Sequence, residues 1–371
     1  LPFFIILNGM DKFSITPMVI AIPGFLILVL IEGLVARWKG ARVYRFQDTI
    51  TSINIGLLSQ FVNATGAVIS VFMYNAIETR YGSFEWQTTS MFTWVFALLL
   101  YDFLYYWVHR TGHMVNIFWA AHITHHSSEE FNISTAMRQA STGFYFKWVF
   151  YVPLAILGIP FEIYIVVGLI DLFYQVWVHT QLIGRLGWLE LFLVTPSNHR
   201  VHHGQNDYCI DKNFGGIFCV WDRLFGTYVD ERVEEPIVYG IRKPLGSWNP
   251  VWSNLHYYVT ILTKLKSTPH WNEKLMFVFG EPAWVPAGTE ENQTPSPISG
   301  NYEKFLSSAP WWVRFSGVLT TFFCASLLML YLGTKDQMSS FSQLIGVSMA
   351  IILLSVIGSI WSSDRSQLSK K

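Results

Sequence analysis

Eleven histidines occur in 371 residues, and nine of them lie between His109 and His203. Uniform scatter would put about three in that window, so the cluster asks for a shared purpose, most often metal binding. The nine fall in patterns. His109 and His113 form HxxxH; His122, His125 and His126 form HxxHH; His199, His202 and His203 form a second HxxHH; His179 stands alone. On a helix, positions i, i+3 and i+4 share one face, so each motif aims its imidazoles the same way. Three converging motifs offer eight ring nitrogens, and His179 makes nine. That is too many for one ion and suits two ions with open positions. His256 and His270 lie outside the cluster and read as structural.

Imidazole suits zinc, copper, iron and nickel. The HExxH pattern of zinc proteases is absent, and so is the ExxH carboxylate motif of di-iron bundles. Neutral nitrogen ligands beside lipid favour a metal that activates oxygen on an apolar substrate. Zinc has no redox chemistry. The expectation is therefore two irons, with O2 as co-substrate.

The elements that position these rings are hydrophobic. The chain is 51% hydrophobic and 13% charged, against about 25% charged in soluble domains. Mean hydropathy is +0.33. Lys+Arg and Asp+Glu both number 25, which leaves no net field for a polyanion and excludes a nucleic-acid binder that works by charge. Cys209, Cys219 and Cys324 form no CxxC pair, so neither a disulfide framework nor a zinc ribbon is implied. A bilayer core needs about 20 apolar residues as helix. Segments 15–35, 50–75, 89–108, 310–332 and 341–361 qualify. Segments 144–157 and 161–178, joined by Gly158-Ile159-Pro160, read as a helical hairpin that enters and returns, or as two tilted spans. Arg37, Lys39, Arg42 and Arg45 follow the first span in a short loop. The positive-inside rule then puts that loop, the segment from His109 to about Ser308 and the C-terminus on the cytoplasmic side. No cleavable signal-peptide pattern is evident at the start.

The fold expected is all-α and integral to the membrane: a transmembrane helix bundle capped by a cytoplasmic histidine-rich helical domain. Its parts are N-terminal spans over 1–108, a catalytic domain over 109–280 that includes the hairpin 144–178, a linker over 281–309 and C-terminal spans over 310–371. The membrane would be the endoplasmic reticulum in a eukaryote or the inner membrane in a bacterium. Asn63 and Asn132 head sequons in form only, since neither should reach a glycosylation site in this topology.

In this order and between hydrophobic spans, HxxxH, HxxHH and HxxHH resemble the fatty acid hydroxylase (sterol desaturase-like) superfamily. The resemblance implies a membrane di-metal oxygenase using O2 and an electron donor. The stretches WVHRTGHMVNIFWAAHITHHSSEEFNISTAMRQ, WVHTQLIG, TPSNHRVHHGQNDYCIDKNFGGIFCVWDRLFGTY, GIRKPLGSWNP and FGEPAWVPAGT are similar to its tetrahydrobiopterin-dependent, alkylglycerol-cleaving branch, over roughly residues 100–288. The branch typically has a histidine where this chain has Asn198. The resemblance implies that His109, His113, His122, His125, His126, His179, His199, His202 and His203 are metal ligands. It also implies that Glu129 is a required acid. As a carboxylate three residues past His126, Glu129 could orient an imidazole or meet the pterin. Asp102 lies seven residues before His109 on the same helix and could hydrogen-bond a ligand histidine; both acids are candidate catalytic groups. Asp171, Gln175 and His179 fall at i, i+4 and i+8, a second polar stripe aimed at the site.

Three functions follow from this reading. The first is a di-iron monooxygenase that hydroxylates the ether-linked carbon of an alkylglycerol drawn from the bilayer, giving fatty aldehyde and a glycerol derivative. The second is a sterol or fatty-acyl lipid hydroxylase or desaturase fed by a separate electron-transfer protein. The third is a membrane metal transporter or sensor. Transporters place ionisable ligands at mid-bilayer, whereas these histidines sit past the span ends, which disfavours the third.

Overall fold

The computed structural model describes residues 17–288, 302–307, 310–334 and 337–362, with backbone only at 17–20 and 64–69. Most of the linker expected over 281–309 lies outside the described residues; 281–288 and 302–307 carry no helix. The regular elements among the described residues are all helices, and their only β pairings are the isolated bridges Leu193–Phe218 and Gly204–Tyr239. Helix α1 runs Pro17–Trp38, α2 Phe46–Tyr81 and α3 Met91–Met114, followed by short turns α4 (Asn116–Ala120) and α5 (Ile123–His126). An apolar arm, α6 (Phe144–Ile156), precedes α7 (Phe161–Trp177) and α8 (Pro196–His202). A short α9 (Val220–Leu224) leads to α10 (Pro250–Ser267), α11 (Trp271–Phe279), α12 (Trp311–Thr334) and α13 (Ser340–Ser362).

Among the described residues, four helical segments are long and apolar enough to cross a bilayer: Ala21–Trp38, Met91–Met114, Trp311–Thr334 and Ser340–Ser362. The protein is accordingly an all-helical integral membrane protein. The expected span 50–75 lies inside α2, against which α12 and α13 pack through Leu57, Leu58, Phe61, Leu328 and Leu354, with Ile22 of α1 joining the same cluster. Two of the span's polar inclusions bond inside the protein: Asn54 Oδ1 accepts from Thr321 Oγ1 at 2.9 Å, and Asn63 Nδ2 donates to Ser59 Oγ at 3.2 Å, leaving Asn63 Oδ1 without a partner among the described residues. Such pairing is what a polar group needs where water is absent.

The segment 144–178 forms a hairpin beside α2 and α3. Its tip needs glycine, because Gly158 has φ +79° and a Cβ there would sit 2.3 Å from the Phe84 carbonyl oxygen. Tyr74 OH donates to Ile159 O at 2.9 Å and Trp86 Nε1 to Leu157 O at 2.7 Å. The tip therefore reaches the connection between α2 and α3, at the end of the bundle opposite the histidines.

At the histidine end, helix termini gather. Tyr44 OH donates to Glu32 Oε2 of α1 at 2.5 Å, Arg138 Nε to Ser52 Oγ of α2 at 2.9 Å, and the Trp248 amide to Ser362 Oγ of α13 at 2.7 Å. The basic loop, the histidine-bearing segment and the end of α13 thus share one side of the bundle.

Candidate metal centre

Four elements bring all nine clustered histidines together. The last two turns of α3 carry His109 and His113, α5 and its cap carry His122, His125 and His126, the exit of α7 carries His179, and α8 with its C-cap carries His199, His202 and His203. They sort into two groups. His109, His113, His122, His126 and His202 form one; His125, His179, His199 and His203 form the other; within each, the ligand atoms lie within 4.8 Å of one another. All are buried except the half-buried His122. The groups adjoin at His126 and His203, whose stacked rings have centroids 4.5 Å apart.

The ring nitrogens face inward at close range. His109 Nε2 lies 3.1 Å from His122 Nε2, His113 Nε2 lies 3.1 Å from His126 Nε2, and His199 Nε2 lies 3.0 Å from His179 Nε2. A metal–imidazole bond of about 2.0–2.1 Å gives neighbouring nitrogens about 3.0 Å apart in an octahedron and about 3.4 Å in a tetrahedron. The observed separations therefore fit ligands around a shared ion. The opposite ring nitrogens are tethered outside. His109 Nδ1 donates to Phe214 O at 2.9 Å, His202 Nδ1 to Lys212 O at 3.0 Å, His179 Nδ1 to Gln175 O at 2.7 Å and His125 Nδ1 to Arg138 O at 3.2 Å. A carbonyl only accepts, so Nδ1 carries the proton and Nε2 offers its lone pair to the centre. The Nε2 atoms of His202 and His203 are buried with no hydrogen-bond partner. Orphaned buried nitrogens of this kind are what a metal ion would satisfy.

Electrostatics point the same way. Burial, reinforced by neighbouring imidazoles, pushes His122, His125, His126, His199, His202 and His203 well below the ordinary histidine range. Burial takes His179 down to about 4. The rings are thus neutral, the form a metal requires.

Neither of the two acids expected at the site bonds a histidine ring. The Glu129 carboxylate meets no imidazole: Oε2 accepts from Arg45 Nη2 at 2.9 Å and Phe305 N at 2.8 Å, and Oε1 from Tyr302 OH at 3.0 Å. It ties the segment 302–307 to the basic loop. Asp102 likewise bonds no histidine. It accepts from Ile217 N at 2.6 Å, Phe218 N at 3.3 Å and Trp221 Nε1 at 2.7 Å, so it anchors the loop whose Phe214 carbonyl orients His109. The loop passes so close that a Cβ at Gly216 would lie 2.5 Å from Asp171 Oδ1 and 2.8 Å from Asp102 Oδ1. Gln175 serves the site through its backbone carbonyl, while its side chain bridges Asp171 and Tyr105. Asn198 caps α8, accepting from Thr195 N at 3.0 Å and donating to Tyr228 OH at 3.0 Å. It lies outside both histidine groups.

Two supporting residues were not anticipated from the sequence. Asp222, fully buried, accepts from Phe214 N at 2.7 Å, Gly215 N at 2.8 Å and Thr227 Oγ1 at 2.7 Å. Arg138, also buried, donates to Ser127 Oγ at 2.9 Å, pairs with Asp48 at 3.1 Å and offers its carbonyl to His125. A charged residue inside an otherwise apolar or histidine-bearing motif was the available signal for both.

A cavity of about 900 Å³ opens onto the first group, with His113, His126 and His202 on one wall and Trp252, Tyr257 and Arg242 among the others. The profile of the family described as fatty acid hydroxylase matches residues 94–227, which hold every one of these histidines. Alkylglycerol monooxygenase of Homo sapiens is 40% identical over 347 residues, covering 91% of this chain and 76% of the relative. The chain belongs to the fatty acid hydroxylase family. Alkylglycerol monooxygenases of Xenopus tropicalis (41% identical over 263 residues) and Danio rerio (40% over 270) are also similar. These matches cover 71% and 72% of the chain but 58% and 59% of the relatives. No solved structure matches the chain. As a fatty acid hydroxylase family member the protein is a membrane oxidoreductase, and its paired histidine groups are consistent with a di-metal site.

Proposed function

We propose that the protein is a di-iron lipid monooxygenase that cleaves alkylglycerol ethers. The observation that carries this is the pair of adjoining all-histidine groups, the first of which opens onto an amphipathic cavity, in a chain similar to alkylglycerol monooxygenases over most of its length. The nine histidines would hold two irons, which when bound supply the reduction of O2 and the oxidation of a substrate C–H bond. The reaction balances as O2, two electrons and two protons with one C–H bond, giving one C–OH and one water. Hydroxylation beside an ether oxygen yields a hemiacetal, which breaks to a fatty aldehyde and a free glycerol hydroxyl. Tetrahydrobiopterin is the two-electron donor in this reading.

The chain's own residues bind, orient and exclude. Phe214, Lys212, Gln175 and Arg138 hold four rings in one tautomer through their carbonyls. Asp102 and Asp222 fix the loop that bears Phe214. In this reading the apolar lining at Ile123, Ile241 and Trp252 would keep the alkyl chain and exclude water, and Lys243 with the Asp207-paired Arg242, also on the lining, would meet a polar headgroup. The test is product analysis by mass spectrometry on the purified chain with an alkylglycerol, O2 and tetrahydrobiopterin. Pterin-dependent fatty aldehyde supports the reading. Turnover that requires a protein electron donor, or that spares the ether, overturns it.

A further inference from the structure

Helices α10 and α11 carry an apolar outer face that none of the described residues covers. Leu255, Leu262, Trp271, Leu275 and Phe279 are exposed, Trp271 to 77% and Phe279 to 61%. Neither helix is among the four candidate spans. The inner side is anchored: Ile261 and Phe277 are buried, Tyr257 OH donates to Asn116 Oδ1 at 2.7 Å, and Asn116 Nδ2 donates to Phe277 O at 2.6 Å. Two lysines (Lys266, Lys274) stand against one glutamate (Glu273) along the pair, while Lys264 turns to the cavity side over the Phe277 ring. Apolar side chains, a tryptophan and lysines on one surface are the pattern of a helix lying in a membrane interface.

Two further contacts fix the depth. The side chain of Asn249, which caps α10, donates to Ser355 O at 3.2 Å and Ser359 Oγ at 2.8 Å. Those residues fall in the last two turns of α13, a candidate span. Thr142, just before the membrane hairpin, bonds Tyr258 at 2.7 Å. Helix α10 is therefore tied both to the end of a candidate span and to the start of the apolar hairpin. Its other face, at Trp252, His256 and Thr260, lines the cavity that reaches the histidines.

We propose that α10 and α11 lie in the plane of the membrane surface with their outer face in lipid, and that leaflet lipids enter the cavity past α10. The first half stands on exposure and contacts alone; the second rests on the lipid-monooxygenase reading. The bilayer, with anionic headgroups facing the lysines, is the occupant.

The test uses the full chain in vesicles of phosphatidylcholine and phosphatidylglycerol. Leu262→Cys, Leu275→Cys and, as a water-exposed control, Val233→Cys are spin-labelled, the native cysteines being buried. Collision with O2 should exceed collision with a water-soluble nickel chelate at positions 262 and 275, and the order should reverse at 233. Labels at 262 and 275 that behave like 233 overturn the membrane placement. For the route, Leu262→Glu with Leu275→Glu should raise KM for vesicle-embedded alkylglycerol about tenfold and leave kcat, and turnover of a short-chain detergent-soluble ether, unchanged. An unchanged KM overturns the route. A wild-type chain without ether cleavage would sink the functional reading and leave the labelling result standing.

Discussion

Asp222→Asn isolates the support of the first histidine group without touching a ring. Asp222 accepts three hydrogen bonds, from Phe214 N, Gly215 N and Thr227 Oγ1, at 2.7–2.8 Å. Both carboxylate oxygens are engaged, so an amide must turn one NH2 group toward a donor. A hydrogen bond to a charged group contributes about 1.5–3 kcal/mol, and a buried donor left unpaired costs about 1–3 kcal/mol. The loop at Phe214 then loses about 2–4 kcal/mol of restraint. Its carbonyl is what holds His109 Nδ1 at 2.9 Å. Loss of such an outer partner lowers metal affinity about 10- to 100-fold, or about 1.4–2.7 kcal/mol. The assay is metal content of monodisperse protein along a chelator titration. We expect one of two metals to leave at about 10- to 100-fold lower chelator concentration than in the wild type, with the second metal retained. Wild-type retention of both metals would refute the idea that this loop orients His109.

Other consequences can be checked separately. His126→Ala should abolish turnover and lower metal content while the protein stays monodisperse; wild-type turnover would remove His126 from the ligand set. Gly158→Ala combines a left-handed φ with a clash against Phe84, and should lower stability by about 2–4 kcal/mol, read as a fall in thermal midpoint. An unchanged midpoint would contradict the hairpin-tip geometry. In metal-free protein, His179 titrates near 4 when folded and near its ordinary 6.5 when unfolded. Between those values the unfolded chain binds more protons, so stability is complete above about 6.5 and declines as pH falls toward 4. Thermal midpoints of the chelator-stripped protein across that range should drop on acidification, and a rise would reverse the sign of the argument.

Much of this was legible in the chain because its signals are local. Apolar runs of bilayer length and histidines at helical spacing report directly on spans and faces. Segments 89–108, 310–332 and 341–361 correspond to α3, α12 and α13, and all nine clustered histidines come together. Gly158 marked the hairpin turn because few other residues tolerate its φ. What the sequence hid was long-range pairing. Asp102 and Glu129 stand near histidines along the chain, yet their partners are Trp221 and Phe305, more than 100 residues away. Proximity in sequence suggested an imidazole partner; tertiary packing supplied backbone amides and an indole. Arg138 was hidden for the same reason, since its partners Ser52 and Asp48 lie far along the chain, whereas Asp222 bonds amides only seven and eight residues away in a loop without helical spacing. The sorting of the histidines was equally obscure: His125 and His126 are neighbours in sequence but belong to different groups. Adjacent helical residues point about 100° apart, so the second HxxHH pair is split as well, His202 from His203.

X-ray absorption at the iron edge of the purified full chain tests the central claim most directly. Nine imidazoles shared by two irons predict two irons per chain, each with four to five nitrogen ligands at about 2.1 Å and strong imidazole multiple scattering. Fewer than one metal per chain, zinc in place of iron, or a first coordination sphere without imidazole would contradict it.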